Sequence, residues 1–178
     1  VLVGTVANLR ATKGYPDLVA AAVTVVGAHP EARFVSVGQG PLLAELEGRR
    51  DAAGLGERLR FLGYRADAAR IVSGCDVFCL SSHHEGLPVA LMEALALGIP
   101  VVATDVGGMA ELVTTGAEGV IVPPHRPDLL AAALAELVGD AEHRGRLAEG
   151  ARARGDQLDA GAATAAVEAR YLELRARR

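Results

Sequence analysis

With 178 residues, 51% of them apolar, the chain is long enough for one well-buried domain and too short for two of ordinary size. A formal net charge of -4, carried by charges of mixed sign, leaves no basic stripe and argues against nucleic acid as a partner. No apolar run approaches a membrane span, and VLVGTVANLR lacks the zones of a signal peptide. The expectation is a cytoplasmic chain, with peripheral association of a longer parent at the inner face of a membrane left open.

In chain order, short apolar or β-branched runs alternate with helical patterns. VLVGTV precedes PDLVAAAVTVV, FVSVG precedes PLLAELEGRRDA, and LRFLG precedes ADAARIVSG; DVFCLS precedes PVALMEALAL, PVVAT precedes GMAELV, and GVIV precedes PDLLAAALAELV. Strand-then-helix units repeated this way predict a doubly wound α/β fold, a parallel sheet of about six strands with helices on both faces. The strands are nearly continuous in apolar residues, as strands covered on both faces can be. After about residue 139 the pattern is purely helical, and two terminal helices are expected, joined by a polar break near Gly155 to Gly161. Val1 is not Met and already lies in an apolar run, which suggests a piece of a longer protein.

Ligands of such folds bind outside the carboxyl ends of the strands, where loops lead into helix N-termini. Four loops qualify: ANLRATKGY, GQGP, SSHHEGLP and TDVGGM. In the first, Pro16 suits the first helical position and Asp17 the first turn, so Arg10 and Lys13 sit before a helix N-terminus suited to an anion. Lys13 is the chain's only lysine among eighteen basic residues, and as a compact point charge it favours a phosphate over an incidental loop cation.

GQGPLL has Gly38 and Gly40 but no third glycine of a dinucleotide fingerprint, and no G-x-x-x-x-G-K-[ST] occurs. The two glycines fit either a tight turn before Pro41 or close approach of a ligand to the backbone. EGLPVALME places Glu85 ahead of Pro88 and Glu93 on a helix whose neighbours at three and four positions are Val89, Ala90, Ala96 and Leu97. A carboxylate on so apolar a stretch needs a partner, either protein amides or the hydroxyls of a ligand. In TDVGGM, Gly107 and Gly108 can expose amides to a ligand, whereas Glu111 is read as serving the helix start.

Cys75 and Cys79 read as small buried apolar residues of a strand rather than a disulfide. With His83 and His84 they raise a zinc reading, but the spacing matches no common zinc pattern. There is no D-x-D and no acidic cluster, so no catalytic metal is expected.

The loops in this order resemble the nucleotide-sugar half of the retaining GT-B glycosyltransferases of family 4, the "group 1" type. The resemblance runs from VANLRATKG through GQGPL, LRFLGY and CDVFCLSSHHEGLPVALMEALALGIPVVAT to VGGMAELV and GVIVPP, with an E-x7-E element from Glu85 to Glu93. It implies a Rossmann-like donor domain over residues 1–178, the C-terminal half of a GT-B fold, with an N-terminal acceptor domain outside this chain. It further implies metal-independent retaining transfer of a hexosyl group from a nucleotide-diphosphate sugar, a UDP- or GDP-sugar before an ADP-sugar, with no other cofactor and little turnover by this chain alone. On the same basis Lys13 would meet the pyrophosphate, Glu93 the ribose hydroxyls and Glu85 the hydroxyls of the transferred sugar. Gly86, Leu87, Pro88 and Val89 would line the phosphate and sugar site, and Tyr64 and Arg65 would lie near the base. Many relatives carry arginine where Asn8 stands, and Arg10 is the candidate replacement. A GT-B nucleotide-sugar epimerase and a non-catalytic nucleotide-binding module are the alternatives.

Overall fold

The computed structural model describes residues 1–158. All six expected strands form: β1 Leu2–Val6, β2 Arg33–Val37, β3 Leu59–Phe61, β4 Val77–Leu80, β5 Val101–Thr104 and β6 Gly119–Val122. The connecting helices are α1 Tyr15–Ala28, α2 Leu43–Ala52, α3 Ala68–Val72, α4 Val89–Ala96 and α5 Met109–Leu112, followed by α6 Pro127–Gly139 and α7 Ala141–Gly155. The first expected terminal helix is α7, which stops at Gly155 where the polar break begins; the second lies outside the described residues.

Every strand pairing is parallel, and the order is β3-β2-β1-β4-β5-β6. The chain winds outward from β1 to β3 and then restarts on the other side of β1, so the switch point falls between β1 and β4. β1 pairs with β2 along its whole length, from Leu2↔Arg33 to Val6↔Val37, but meets β4 only at Val3↔Val77 and Gly4↔Phe78. Beyond Gly4 the two central strands part, and a crevice opens at their carboxyl ends.

The sheet is covered on both faces because alternate strand residues serve two separate cores. Val77, Cys79 and Val102 face a cluster with Leu18, Val25 and Leu46 of α1 and α2 and Leu130, Leu134 and Leu137 of α6. Phe78, Leu80, Val101 and Ala103 face Val72 of α3, Leu91 and Leu95 of α4 and Met109 of α5. Leu147 of α7 belongs to the first core and Ala151 to the second, so this helix closes the far end of both layers. Both cysteines are free and buried, and burial pushes the thiol of Cys79 up to about 12 and that of Cys75 to about 11.

Helix starts follow the sequence signals with small shifts. α1 begins at Tyr15 rather than Pro16, after Gly14 in the left-handed region at φ 61°. Pro88 caps α4, and Pro41 precedes the start of α2 by a two-residue turn.

Gly38 and Gly48 make a contrasting pair. Gly38, at φ 148°, holds its α-carbon where an added Cβ would stand 2.0 Å from the Ala7 carbonyl oxygen; Gly48 lies inside α2 with open space around it. Gly38→Ala is expected to lower unfolding free energy by about 2–3 kcal/mol through backbone strain and collision. Gly48→Ala is expected to raise it by about 0.5–1 kcal/mol by favouring the helix. Urea unfolding of the two variants checks both signs.

Candidate functional site

The crevice between β1 and β4 continues into a cavity of about 440 Å³ at the carboxyl edge of the sheet. Its floor is Val6 and Ala7 from the end of β1 with Val37 and Leu80; its walls include Asn8, Lys13 and Gly38 on one side and Glu85, Leu87, Pro88 and Val89 on the other. Tyr64 and Arg65, from the turn after β3, close one end.

The centre of the site is an ion pair between Lys13 and Glu85, with Nζ 2.6 Å from Oε1. The Glu85 side chain is only 8% exposed, so the charge needs this partner. Ser82 Oγ also donates to Glu85 Oε1 at 2.6 Å, leaving Oε2 for a further donor. Ser82 is itself held, because its carbonyl accepts from the buried Thr104 hydroxyl at the end of β5. Ser81 Oγ donates to the Lys13 carbonyl at 3.1 Å, so two consecutive serines ending β4 fix the backbone of one charge and the carboxylate of the other.

Lys13 ends a 3-10 turn, Ala11–Lys13, and the chain then turns into α1 through Gly14. A Cβ on Gly14 would lie 1.8 Å from the Ser81 carbonyl oxygen, so only glycine lets the two loops approach this closely. Tyr15 OH donates to the Ala7 carbonyl at 2.9 Å and accepts from Ser36 Oγ at 3.1 Å. Its burial pushes the phenol up to about 12, which keeps it a donor and pins the cavity floor.

α4 points its N-terminus at the same space. The backbone N–H groups of Leu91 and Met92 are bonded to the Pro88 carbonyl, whereas Val89 and Ala90, both lining the cavity, stand in the first turn where amides have no intrahelical acceptor. A cation from one wall and two such amides from the other therefore face the same space, an arrangement that suits a phosphate.

Of the residues singled out in the sequence, Asn8, Lys13, Gly38, Tyr64, Arg65, Glu85, Leu87, Pro88 and Val89 are brought together here. Arg10, Gly86 and Glu93 are exposed and do not line the cavity. The apolar face that makes Glu93 conspicuous in the sequence turns out to be open: Val89 is 61% exposed and Leu97 37%, so Glu93 carries no burial cost that a partner must offset. Gly40, Gly107 and Gly108 do not line the cavity, and each packs against the backbone of a neighbouring loop. A Cβ on Gly40 would meet the Leu9 carbonyl oxygen at 2.4 Å, and one on Gly107, at φ 56°, the Glu85 carbonyl oxygen at 2.3 Å; Gly108 N–H donates to the Gly86 carbonyl. Gly107 and Gly108 thus support the loop that carries Glu85. Arg65 is engaged in a bidentate pair with Asp67 at 2.8 and 2.9 Å.

Sequence reasoning missed Ser81, Ser82, Thr104 and Tyr15. A hydroxyl directly after a buried strand was the signal available for the serines. Nothing in the local pattern shows that Tyr15 reaches back under β1. The cysteines and His84 take no part in a common cluster with His83, whose Nε2 instead lies 2.7 Å from Asp17 Oδ2.

A doubly wound parallel sheet with a cleft at its switch point is a Rossmann-like domain. Residues 1–154 match the family described as glycosyl transferases group 1, and the chain belongs to that family. It is 32% identical to the alpha-D-kanosaminyltransferase of Streptomyces kanamyceticus over 165 residues, 86% of this chain and 43% of that protein. It is 36% identical to the D-inositol 3-phosphate glycosyltransferase of Stackebrandtia nassauensis over 166 residues, 85% of this chain and 33% of that one. Among solved structures, Anabaena Alr3699/HepE in complex with UDP superposes with a TM-score of 0.81 at 29% identity, over 88% of this chain and 44% of that one. The C-terminal domain of the group 1 protein LpcC from Francisella tularensis gives 0.81 at 27% identity, over 88% and 85%. The chain thus spans less than half the length of these curated relatives, and a comparable share of HepE. The fold is that of GT-B glycosyltransferases, and a family of transferases tells against the epimerase reading.

Removing the Lys13 ammonium strands a nearly buried carboxylate. Lys13→Ala is expected to cost about 3 kcal/mol in unfolding free energy, with much of that regained in Lys13→Met combined with Glu85→Gln, where neither charge remains. A double-mutant cycle by denaturant unfolding measures the coupling.

Proposed function

We propose that this chain is the donor-binding domain of a retaining, metal-independent hexosyltransferase that uses a nucleotide-diphosphate sugar. The observation that carries the reading is the convergence of Lys13, the first-turn amides of α4 and Glu85 on one cleft at the switch point. Each group suits a different part of the same ligand.

The pyrophosphate takes the place beside Lys13 and the amides of Val89 and Ala90, with Asn8 alongside; the exposed Arg10, two residues after Asn8, is the proposed further cation. As the nucleotide leaves, negative charge grows on its outer phosphate; a fixed ammonium and fixed amide dipoles stabilise that charge without reorganisation, the assistance a divalent cation gives in other enzymes. Glu85 offers Oε2 to sugar hydroxyls while Lys13 and Ser82 hold Oε1, so its role is to position rather than to attack. Gly86 and Leu87 border the sugar. Glu93, in the second turn of α4, accepts the ribose hydroxyls, and Tyr64, 69% exposed at the end of the cavity, offers a face to the base. HepE, which matches 88% of this chain over 44% of its own, has been solved with UDP and with UDP-glucose, which supports a nucleotide-sugar donor; a UDP- or GDP-sugar is proposed before an ADP-sugar.

The acceptor and any groups that act on it belong to a second domain, in keeping with the short share of the relatives that this chain covers. Exposed Leu87 and Val89 at the cavity mouth give that domain an apolar surface to close upon. The protein acts in the cytoplasm or at the inner face of a membrane; among the described residues no helix is long and apolar enough to cross one.

Glu93→Gln is expected to weaken binding of the preferred nucleoside diphosphate about tenfold or more, by loss of charged hydrogen bonds, while leaving the unfolding midpoint near wild type. Calorimetry and urea unfolding on the same variant separate the two. In the complete protein, the released product is expected to keep the donor's anomeric configuration with EDTA present, read by proton NMR; inversion, or abolition of transfer by EDTA, contradicts the reading.

A further inference from the structure

Outside the cavity, three ligating side chains, one from a helix start and two from loops, meet at the same edge of the sheet. Asp17 comes from the first turn of α1, His83 from the loop after β4, and His125 from the loop between β6 and α6. One ligand atom from each lies within 4.8 Å of the other two. None of the three lines the cleft assigned to the donor.

We propose that Asp17, His83 and His125 form a binding site for a transition-metal dication of the zinc type. Two imidazoles and one carboxylate are a donor set for zinc, cobalt or nickel, and a poor one for magnesium or calcium, which prefer oxygen. Ligand bonds of about 2.0–2.2 Å place neighbouring donor atoms on a tetrahedron about 3.4 Å apart. Asp17 Oδ2 and His83 Nε2 are already 2.7 Å apart, so the closure required is chiefly that of the exposed His125 side chain. The rings of His83 and His125 stand with centroids 3.8 Å apart at 38°, an approach that places two imidazoles in mutual reach.

Three further observations make the cluster a built one. His125 is the single non-glycine residue among those described with positive φ, at 59°, a conformation histidine adopts more readily than most residues but at a cost in backbone energy. That conformation brings its ring onto His83. The His83 N–H donates to the Thr12 carbonyl at 2.8 Å, which fixes the backbone of the second ligand against the loop that leads to the first. Gly14 allows the approach, since its missing Cβ would stand 3.0 Å from His83 Cδ2. A bound dication would tie the loops after β1, β4 and β6 together beside the donor cleft and leave a coordination position for water.

The test is calorimetric titration of the full chain with Zn²⁺, repeated with Co²⁺, whose visible absorption reports coordination number and nitrogen ligation. One equivalent of Zn²⁺ is expected to bind, Co²⁺ is expected to show a tetrahedral or five-coordinate spectrum, and Mg²⁺ is expected not to compete. His125→Ala, on an exposed loop where a fold defect is not expected, should lower Zn²⁺ affinity by about a hundredfold, since even outer-shell changes cost 10–100-fold. His143→Ala, at a histidine paired with Glu136 elsewhere on the surface, should leave it unchanged. No binding of Zn²⁺, or binding undiminished in His125→Ala, overturns the proposal. Titration of His125→Ala with UDP in EDTA keeps the two readings apart, because the donor cleft contains none of these side chains.

Discussion

The Lys13–Glu85 ion pair is the interaction on which the site depends, because it spans the switch point of the sheet. One charge follows β1 and the other follows β4, the two strands that part beyond Gly4. A gap between parallel strands exposes carbonyls and amides that the ladder no longer pairs, and it must be bridged by side chains or filled by a ligand. Here the bridge is one hydrogen-bonded chain, from Thr104 through Ser82 to Glu85 and Lys13, whose own carbonyl returns to Ser81. Desolvating two charges is unfavourable by itself, and a hydrophobic pair would hold these loops as well or better. The ion pair is thus held in place by the surrounding core rather than being the source of its stability.

That core is provided by the doubly wound plan. Strands such as VFCL and VVAT, buried on both sides, keep the sheet rigid, and every strand delivers its following loop to the same edge. The glycines at this edge are needed because loops pack on loops. Gly14, Gly38, Gly40 and Gly107 each meet a neighbouring carbonyl where a side chain would collide. The flexibility that a ligand-facing glycine loop would require is replaced by close main-chain contact between successive loops, which holds the cleft in shape before any ligand arrives.

Much of this was legible in the sequence. The alternation of apolar strands and amphipathic helices gave the order and type of all thirteen described strands and helices, because β-branched runs bounded by Gly and Pro leave few alternatives. The loops carrying Lys13 and Glu85 were singled out for the same reason, because loops in this fold collect after the strands, and both residues line the cleft. What was not legible depends on contacts between residues distant in the chain. Nothing near Gly40 or Gly107 tells whether a ligand or another loop fills the space beside it. The need of Glu93 for a partner is inferred from its neighbours in sequence, yet Val89, Ala96 and Leu97 are themselves exposed, and helix period cannot say which face the rest of the protein covers. Asp17, His83 and His125 lie 66 and 42 residues apart in sequence, so no spacing rule for metal ligands could have joined them.

The chain's single lysine makes the central claim accessible to one experiment. Selective 15N-lysine labelling yields a backbone amide signal from Lys13 alone, in the wall of the candidate phosphate site. Titration with UDP, GDP and ADP in the presence of EDTA is predicted to shift that signal saturably with one preferred nucleotide, and inorganic pyrophosphate is predicted to compete. A nucleotide that binds by calorimetry without moving the Lys13 signal, or no binding by any of the three, would contradict the assignment of this cleft to the donor.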